Sequence, residues 1–138
     1  HHHRHRNHQT RLGKSLAGKS IGPCEDKLAT LARYRFALCL ENTSWPGYLT
    51  EKIVDAMAAG CIPLYRGAPE IEALIPPGAY VNLAGRSPDE IGALIRNMDG
   101  SQAAGILEAG RAYLESESGR LHQESEFARD VVTRLGVP

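Results

Sequence analysis

The strongest constraint on this chain is one alternation. Tyr34 to Leu40 is apolar almost throughout, Leu49 to Ala59 repeats apolar residues at helical spacing, and Ile62 to Tyr65 is apolar again. A short apolar run bounded by polar residues or glycine reads as a strand covered on both faces. An amphipathic stretch between two such runs predicts a β-α-β unit, with parallel strands and a crossover helix. The apolar face of that helix is Ile53, Val54, Met57 and Ala58, and Gly60 stands where a C-terminal cap is needed. Between the first run and the helix lies a polar, kinked loop, Glu41 to Tyr48. A loop leaving the carboxyl end of a parallel strand lines the crevice where such sheets bind ligands.

The flanking sequence extends the same pattern. Glu25 to Arg33 predicts a short helix with Leu28, Leu31 and Ala32 on one face. Pro69 to Leu74 suggests another, ended by the turn Ile75-Pro76-Pro77-Gly78, and Tyr80 to Leu83 reads as a third strand. Ser87-Pro88-Asp89-Glu90 has the chemistry of a helix start: serine at the N-cap, proline next, then acids facing the positive dipole end. Gln102 to Glu115 follows as a helix with Ala103, Ile106, Leu107 and Leu114 inward, although Gly105 and Gly110 weaken it. His122 to Leu135 predicts a last helix with Phe127, Val131, Val132 and Leu135 as its apolar side. The fold class is therefore α/β, an incomplete Rossmann-like parallel sheet with flanking helices. So few strands suit the later part of such a domain, truncated on its N-terminal side.

At 138 residues the chain is one domain's worth. Residues 1–12, with the head HHHRHRNHQ, read as a tag-like or disordered segment rather than a metal site, and residues 13–138 as the folded domain. A net formal charge of zero gives no global reason to bind nucleic acid. No window approaches the roughly 20 apolar residues of a membrane helix. Cys24, Cys39 and Cys61 are odd in number and lack close pairing, which argues against a disulfide framework and against zinc. That cysteine usage suits a reducing compartment.

The loop carries the chemistry. Asn42, Thr43 and Ser44 offer short hydrogen-bonding groups, and Trp45 and Tyr48 offer flat surfaces for a base or sugar. The following helix opens on Thr50, Glu51 and Lys52, where free amide groups and the dipole favour phosphate. Lys52 can add a full charge to a diphosphate, and Glu51 suits sugar or ribose hydroxyls. A purely structural account competes with this one. An acid in a first helical turn is ordinary capping electrostatics, Lys52 can be a solvated surface residue, and Trp45 can be a hydrophobic lid. No glycine-rich dinucleotide or Walker pattern is present.

Taken in order, YRFALCLENTSWPGYLTEKIVDAMAAGCIPLYRGAPEI resembles the donor-binding signature of the alpha-1,3/1,4-fucosyltransferases, glycosyltransferase family 10. The family form is an apolar strand, then F-E-N-S, a short insert, Y-V-T-E-K, a helix, and a proline-containing strand ending in glycine. This chain keeps Glu41, Asn42, Tyr48, Thr50, Glu51 and Lys52, has Thr43 for serine and Leu49 for valine, and matches at Pro63 and Gly67. Tyr80 stands where phenylalanine is frequent. The resemblance implies the C-terminal half of a two-Rossmann-domain, GT-B type transferase. It implies GDP-fucose as donor substrate with no cofactor, and donor contacts at Asn42, Tyr48, Thr50, Glu51 and Lys52. It further implies inverting transfer to a glycan acceptor hydroxyl, with the general base in an N-terminal domain that has no counterpart here. An inactive or partner-dependent nucleotide-binding fragment, or a transferase with another donor, are the alternatives. A bacterial-type enzyme would be cytoplasmic, with peripheral membrane association at the inner membrane, and a eukaryotic one would reside in the Golgi.

Overall fold

The structure is a computed structural model that describes residues 22–124 and Gly136. Three parallel strands, β1 (Phe36–Leu40), β2 (Ile62–Arg66) and β3 (Val81–Asn82), lie side by side in chain order. Phe36 faces Ile62 and Leu40 faces Arg66 across the first pair, and Leu64 faces Val81 across the second. Helix α1 (Lys27–Leu31) precedes β1, and α2 (Glu51–Ala58) crosses from β1 to β2. The short α3 (Ile71–Leu74) and a 3-10 turn at Pro77–Ala79 lead to β3. Helices α4 (Pro88–Asn97) and α5 (Gly100–Glu115) follow, and residues 117–124 are again helical. The expected β-α-β unit is present. Residues 1–21 and most of the last predicted helix, including Phe127, Val131, Val132 and Leu135, lie outside the described residues.

The central strand organises the core because both its faces are covered. On one side Tyr65 joins Ala37, Cys39, Ile53 and Met57 under α2, and on the other Ile62 and Leu64 join Val81, Leu83 and Ala103. Ile91, Leu94 and Ile95 of α4 close that second layer. Helix α2 ends as its glycine demanded. Gly60 adopts φ +79, its N–H reaches the Met57 carbonyl at 3.1 Å, and the Cys61 N–H reaches Ala56 at 2.9 Å. These paired bonds form a Schellman stop, which needs a left-handed residue at that position. Ser87 is the N-cap of α4, as the sequence predicted, and Glu90 completes a reciprocal capping box with it. Helix α5 starts earlier than expected, because Asp99 and Gln102 form a second capping box. Its Gly110 has a packing reason: a Cβ there would sit 3.3 Å from Met57 Cγ, so the glycine lets α2 and α5 approach.

Three expectations need correction. Ala58 of α2 is exposed, and Ala56 takes the core position expected of it. β1 is not covered on both faces. Ala37 and Cys39 are buried, but Leu38 and Leu40 are 66% and 46% exposed, because β1 is an edge of the described sheet and α4 packs over its neighbours instead. The inward face of α5 also includes Tyr113, buried against the core, which the sequence reading omitted.

Tyr80 is 4% exposed and its ring meets Tyr65 edge-on at 6.0 Å, yet its hydroxyl has no hydrogen-bond partner among the described residues. Burial pushes that phenol up to about 12, with the charges of Glu72 and Tyr65 adding to the effect. A buried hydroxyl with no partner costs more than it returns. Tyr80→Phe should therefore stabilise the chain by about 1 kcal/mol in denaturant unfolding. Gly60→Ala should cost about 1–2 kcal/mol in the same assay through backbone strain alone, since no atom lies within 4 Å of the added methyl.

Candidate functional site

The site forms where the chain leaves β1. The Glu41 N–H donates to the Arg66 carbonyl at 2.9 Å, extending the β1–β2 ladder by one bond and turning the Glu41 side chain beneath the loop. That side chain is 0% exposed, so the partial exposure of the residue comes from its backbone. Its Oε1 accepts from the Thr50 N–H and hydroxyl, both at 3.0 Å, and Oε2 lies 2.8 Å from the same hydroxyl. Lys52 Nζ donates to Oε2 at 3.3 Å and to the Leu40 carbonyl at 2.8 Å. A buried carboxylate is tolerated only with such partners.

The loop above this corner is a tight turn. The Tyr48 N–H reaches the Trp45 carbonyl at 3.1 Å, and Gly47 takes φ +74, as expected of proline then glycine in the central positions. The Gly47 N–H also donates to Glu70, which ties the loop to the segment after β2. Asn42 is exposed, Trp45 is 75% exposed and Tyr48 38% exposed, so the flat surfaces predicted from sequence face outward.

Helix α2 starts without the usual side-chain cap, although Thr50 is its N-cap residue. Glu51, next in line, pairs with Lys27 of α1 at 3.1 Å, and Lys27 also meets Asp55 at 2.7 Å. Burial alone would raise the Glu51 carboxyl, but the Lys27 hydrogen bond, its own backbone N–H and the charges of Lys27 and Lys52 hold it below 4.5. Burial pulls the Lys27 ammonium down, and bonds and charges from Asp55 and Glu51 outweigh this and lift it above 10.5.

Of the predicted residues, Thr50 and Lys52 converge on Glu41, Glu51 turns to Lys27, and Asn42 and Tyr48 stand at the surface. Sequence reasoning singled out neither Glu41 nor Lys27 as a site residue. An acid placed directly after an apolar strand was the available signal for Glu41. Cys39 lies beneath, and burial first, then the Glu41 charge, pushes its thiol up to about 12, so it serves as a small apolar residue. A groove of about 610 Å³ opens elsewhere, between α4 and α5, lined by residues such as Val81, Leu94 and Ile106. It holds none of the converging charges. Among the described residues no cluster of His, Cys, Asp or Glu is arranged to hold a metal ion.

The Lys27 pair gives a pH signature. A lowered carboxylate pKa stabilises the fold above its ordinary value of 4.5 and stops doing so as pH falls through the lowered folded value. Lys27→Ala should move Glu51 upward in an NMR titration and flatten the loss of stability in that acid range.

Comparison with known proteins identifies the family and the fold. The sequence profile of Glycosyltransferase family 10 (fucosyltransferase) C-term matches residues 8–104. The chain is 42% identical over 59 residues to the alpha-(1,3)-fucosyltransferase of Helicobacter pylori, covering 43% of this chain and 12% of that protein. It is 40% identical over 84 residues to mouse alpha-(1,3)-fucosyltransferase 7, covering 58% of this chain and 22% of that one. A crystal structure of an alpha1,3-fucosyltransferase with GDP-fucose superposes with TM-score 0.59 and 33% identity, over 64% of this chain and 27% of that chain. The chain thus spans well under a third of each of these proteins. Its parallel sheet and helices correspond to a Rossmann-like C-terminal half of the GT-B type, and the chain belongs to glycosyltransferase family 10, the fucosyltransferases.

Proposed function

We infer that residues 13–138 form the donor-binding domain of an alpha-1,3-fucosyltransferase that transfers fucose from GDP-fucose to a hydroxyl of a glycan. The observation that carries this reading is the uncapped start of α2, with the Lys52 ammonium anchored beside it, at the carboxyl end of a parallel strand. An anion is the ligand such a corner accepts best. The same segment falls within the family match, and a similar structure was solved with GDP-fucose.

In this reading the diphosphate lies against the first turn of α2 and Lys52. Asn42 and Tyr48 form the wall toward the base or sugar, and Glu51 accepts hydrogen bonds from hydroxyls once Lys27 yields. The acceptor oxygen attacks the anomeric carbon of fucose as the bond to the GDP oxygen breaks, inverting the centre. The acceptor's proton passes to a base that the described residues do not supply. The greater length of the relatives leaves room for an acceptor-binding domain that would hold it. Lys52 and the helix end stabilise charge growing on the departing diphosphate, and no metal is required for that role.

All three cysteines are free, which supports a reducing compartment and so the bacterial-type, cytoplasmic reading over a Golgi one. Among the described residues no helix is long and apolar enough to cross a membrane.

Titration calorimetry of the chain with GDP and UDP tests the donor assignment: saturable binding that favours GDP is expected, and a preference for UDP would refute it. In the full-length protein, Lys52→Ala should cut fucose transfer by about a hundredfold, the scale of losing one leaving-group contact. Unchanged turnover would remove Lys52 from the mechanism.

A further inference from the structure

Glu41 stands behind the surface that a ligand would meet, and its burial is built into the fold. A Cβ on Gly67 would lie 2.5 Å from Glu41 Cγ and 2.9 Å from Glu41 Cβ, so the glycine after β2 makes the space in which the carboxylate sits. Tyr65 closes the same space, with its hydroxyl accepting from the Ala68 N–H at 2.9 Å. An enclosed acid at an anion site has to be explained. Its charge opposes a phosphate, unless it serves to arrange other groups.

The hydrogen bonds show what it arranges. A threonine at an N-cap ordinarily turns its oxygen onto the amide of the second or third helical residue, here Lys52 or Ile53. Thr50 does not: its hydroxyl is turned toward Glu41, to which it donates, and makes no bond to those amides. The amides that a cap would occupy therefore remain open to an outside acceptor. Glu41 also fixes the lysine. An ammonium carries three N–H donors, and two are engaged by the Leu40 carbonyl and Glu41 Oε2, which aims the third outward. Lys52 keeps 29% of its side chain exposed for that purpose, whereas the carboxylate shows none to solvent.

We propose that Glu41 is the positioning residue of the diphosphate site: it holds the Thr50 hydroxyl away from the start of α2 and orients Lys52. This role rests on the donor-binding reading above and adds a mechanism to it. Removing the acceptor lets Thr50 cap its own helix, which closes the site without unfolding it. Removing the Thr50 hydroxyl as well then opens the site again. A residue that merely supported the fold would show no such rescue.

The experiment uses the full 15N-labelled chain as wild type, Glu41→Leu, and Glu41→Leu with Thr50→Val. Inorganic pyrophosphate, GDP and UDP serve as probes in NMR titrations. In the wild type, pyrophosphate should shift the Lys52 and Ile53 amides most, a result that needs no variant to fold. Glu41→Leu should weaken GDP binding by about tenfold, the scale of one or two charge-assisted hydrogen bonds. Adding Thr50→Val should recover a clear part of that loss. Unaltered GDP affinity in Glu41→Leu, or a double variant as weak as the single one, would overturn the role of Glu41. So would pyrophosphate shifts that avoid Lys52 and Ile53. Pyrophosphate shifts at these amides and rescue by Thr50→Val, without preference for GDP over UDP, would support the role and refute the donor assignment instead.

Discussion

The enclosed carboxylate of Glu41 is the interaction on which the site depends. It joins the end of β1, the start of α2 and the glycine after β2, three points that the chain reaches at well-separated positions. Its contacts are charge-assisted and lie out of water, where each is stronger than on the surface and where a missing partner would be costly. The outlying pair of Lys27 with Glu51 is of a different kind. Both partners are about half exposed, so its value for stability is small and sensitive to salt. What it does is turn Glu51 toward α1.

Much of this architecture was legible in the sequence because it rests on local chemistry. Continuous apolar runs gave the strands and a 3.6-residue period the helices, Ser87 with its following proline and acids announced a capped start, and Gly60 announced a stop. What escaped notice depends on residues far apart in the chain. Lys27 and Glu51 are separated by 24 positions, and nothing local couples them. The exposure of Leu38 and Leu40 depends on what packs beside β1, which a run of apolar letters does not specify. Glu41 was not legible for a physical reason: whether an acid after a strand faces solvent or is enclosed against Thr50 and Lys52 is set by the path of the loop, not by the residues beside it.

The donor residues named from the family resemblance divide along the same line. Thr50 and Lys52 sit in the hydrogen-bonded corner and have few choices of conformation. Asn42 and Tyr48 present their side chains to the outside, Tyr48 at the end of a turn tied down through Gly47 and Glu70. Under the proposed donor role, the hydrogen-bonded groups stand near the charge and the exposed ones near the base or sugar. Electrostatic stabilisation needs fixed geometry, while a flat surface for stacking tolerates small shifts.

The tight space at Gly67 has a consequence for how this corner can drift through evolution. No side chain can enter at Gly67 while a glutamate fills the cavity. An alanine there would also meet the Tyr65 hydroxyl at 2.5 Å, so it would require a shorter residue at 41 and a change at 65, and a shorter residue at 41 could not span to Thr50 and Lys52. Positions 41, 65 and 67 should therefore vary together or not at all among homologous sequences, although 41 and 67 follow different strands and none of the three need touch the ligand.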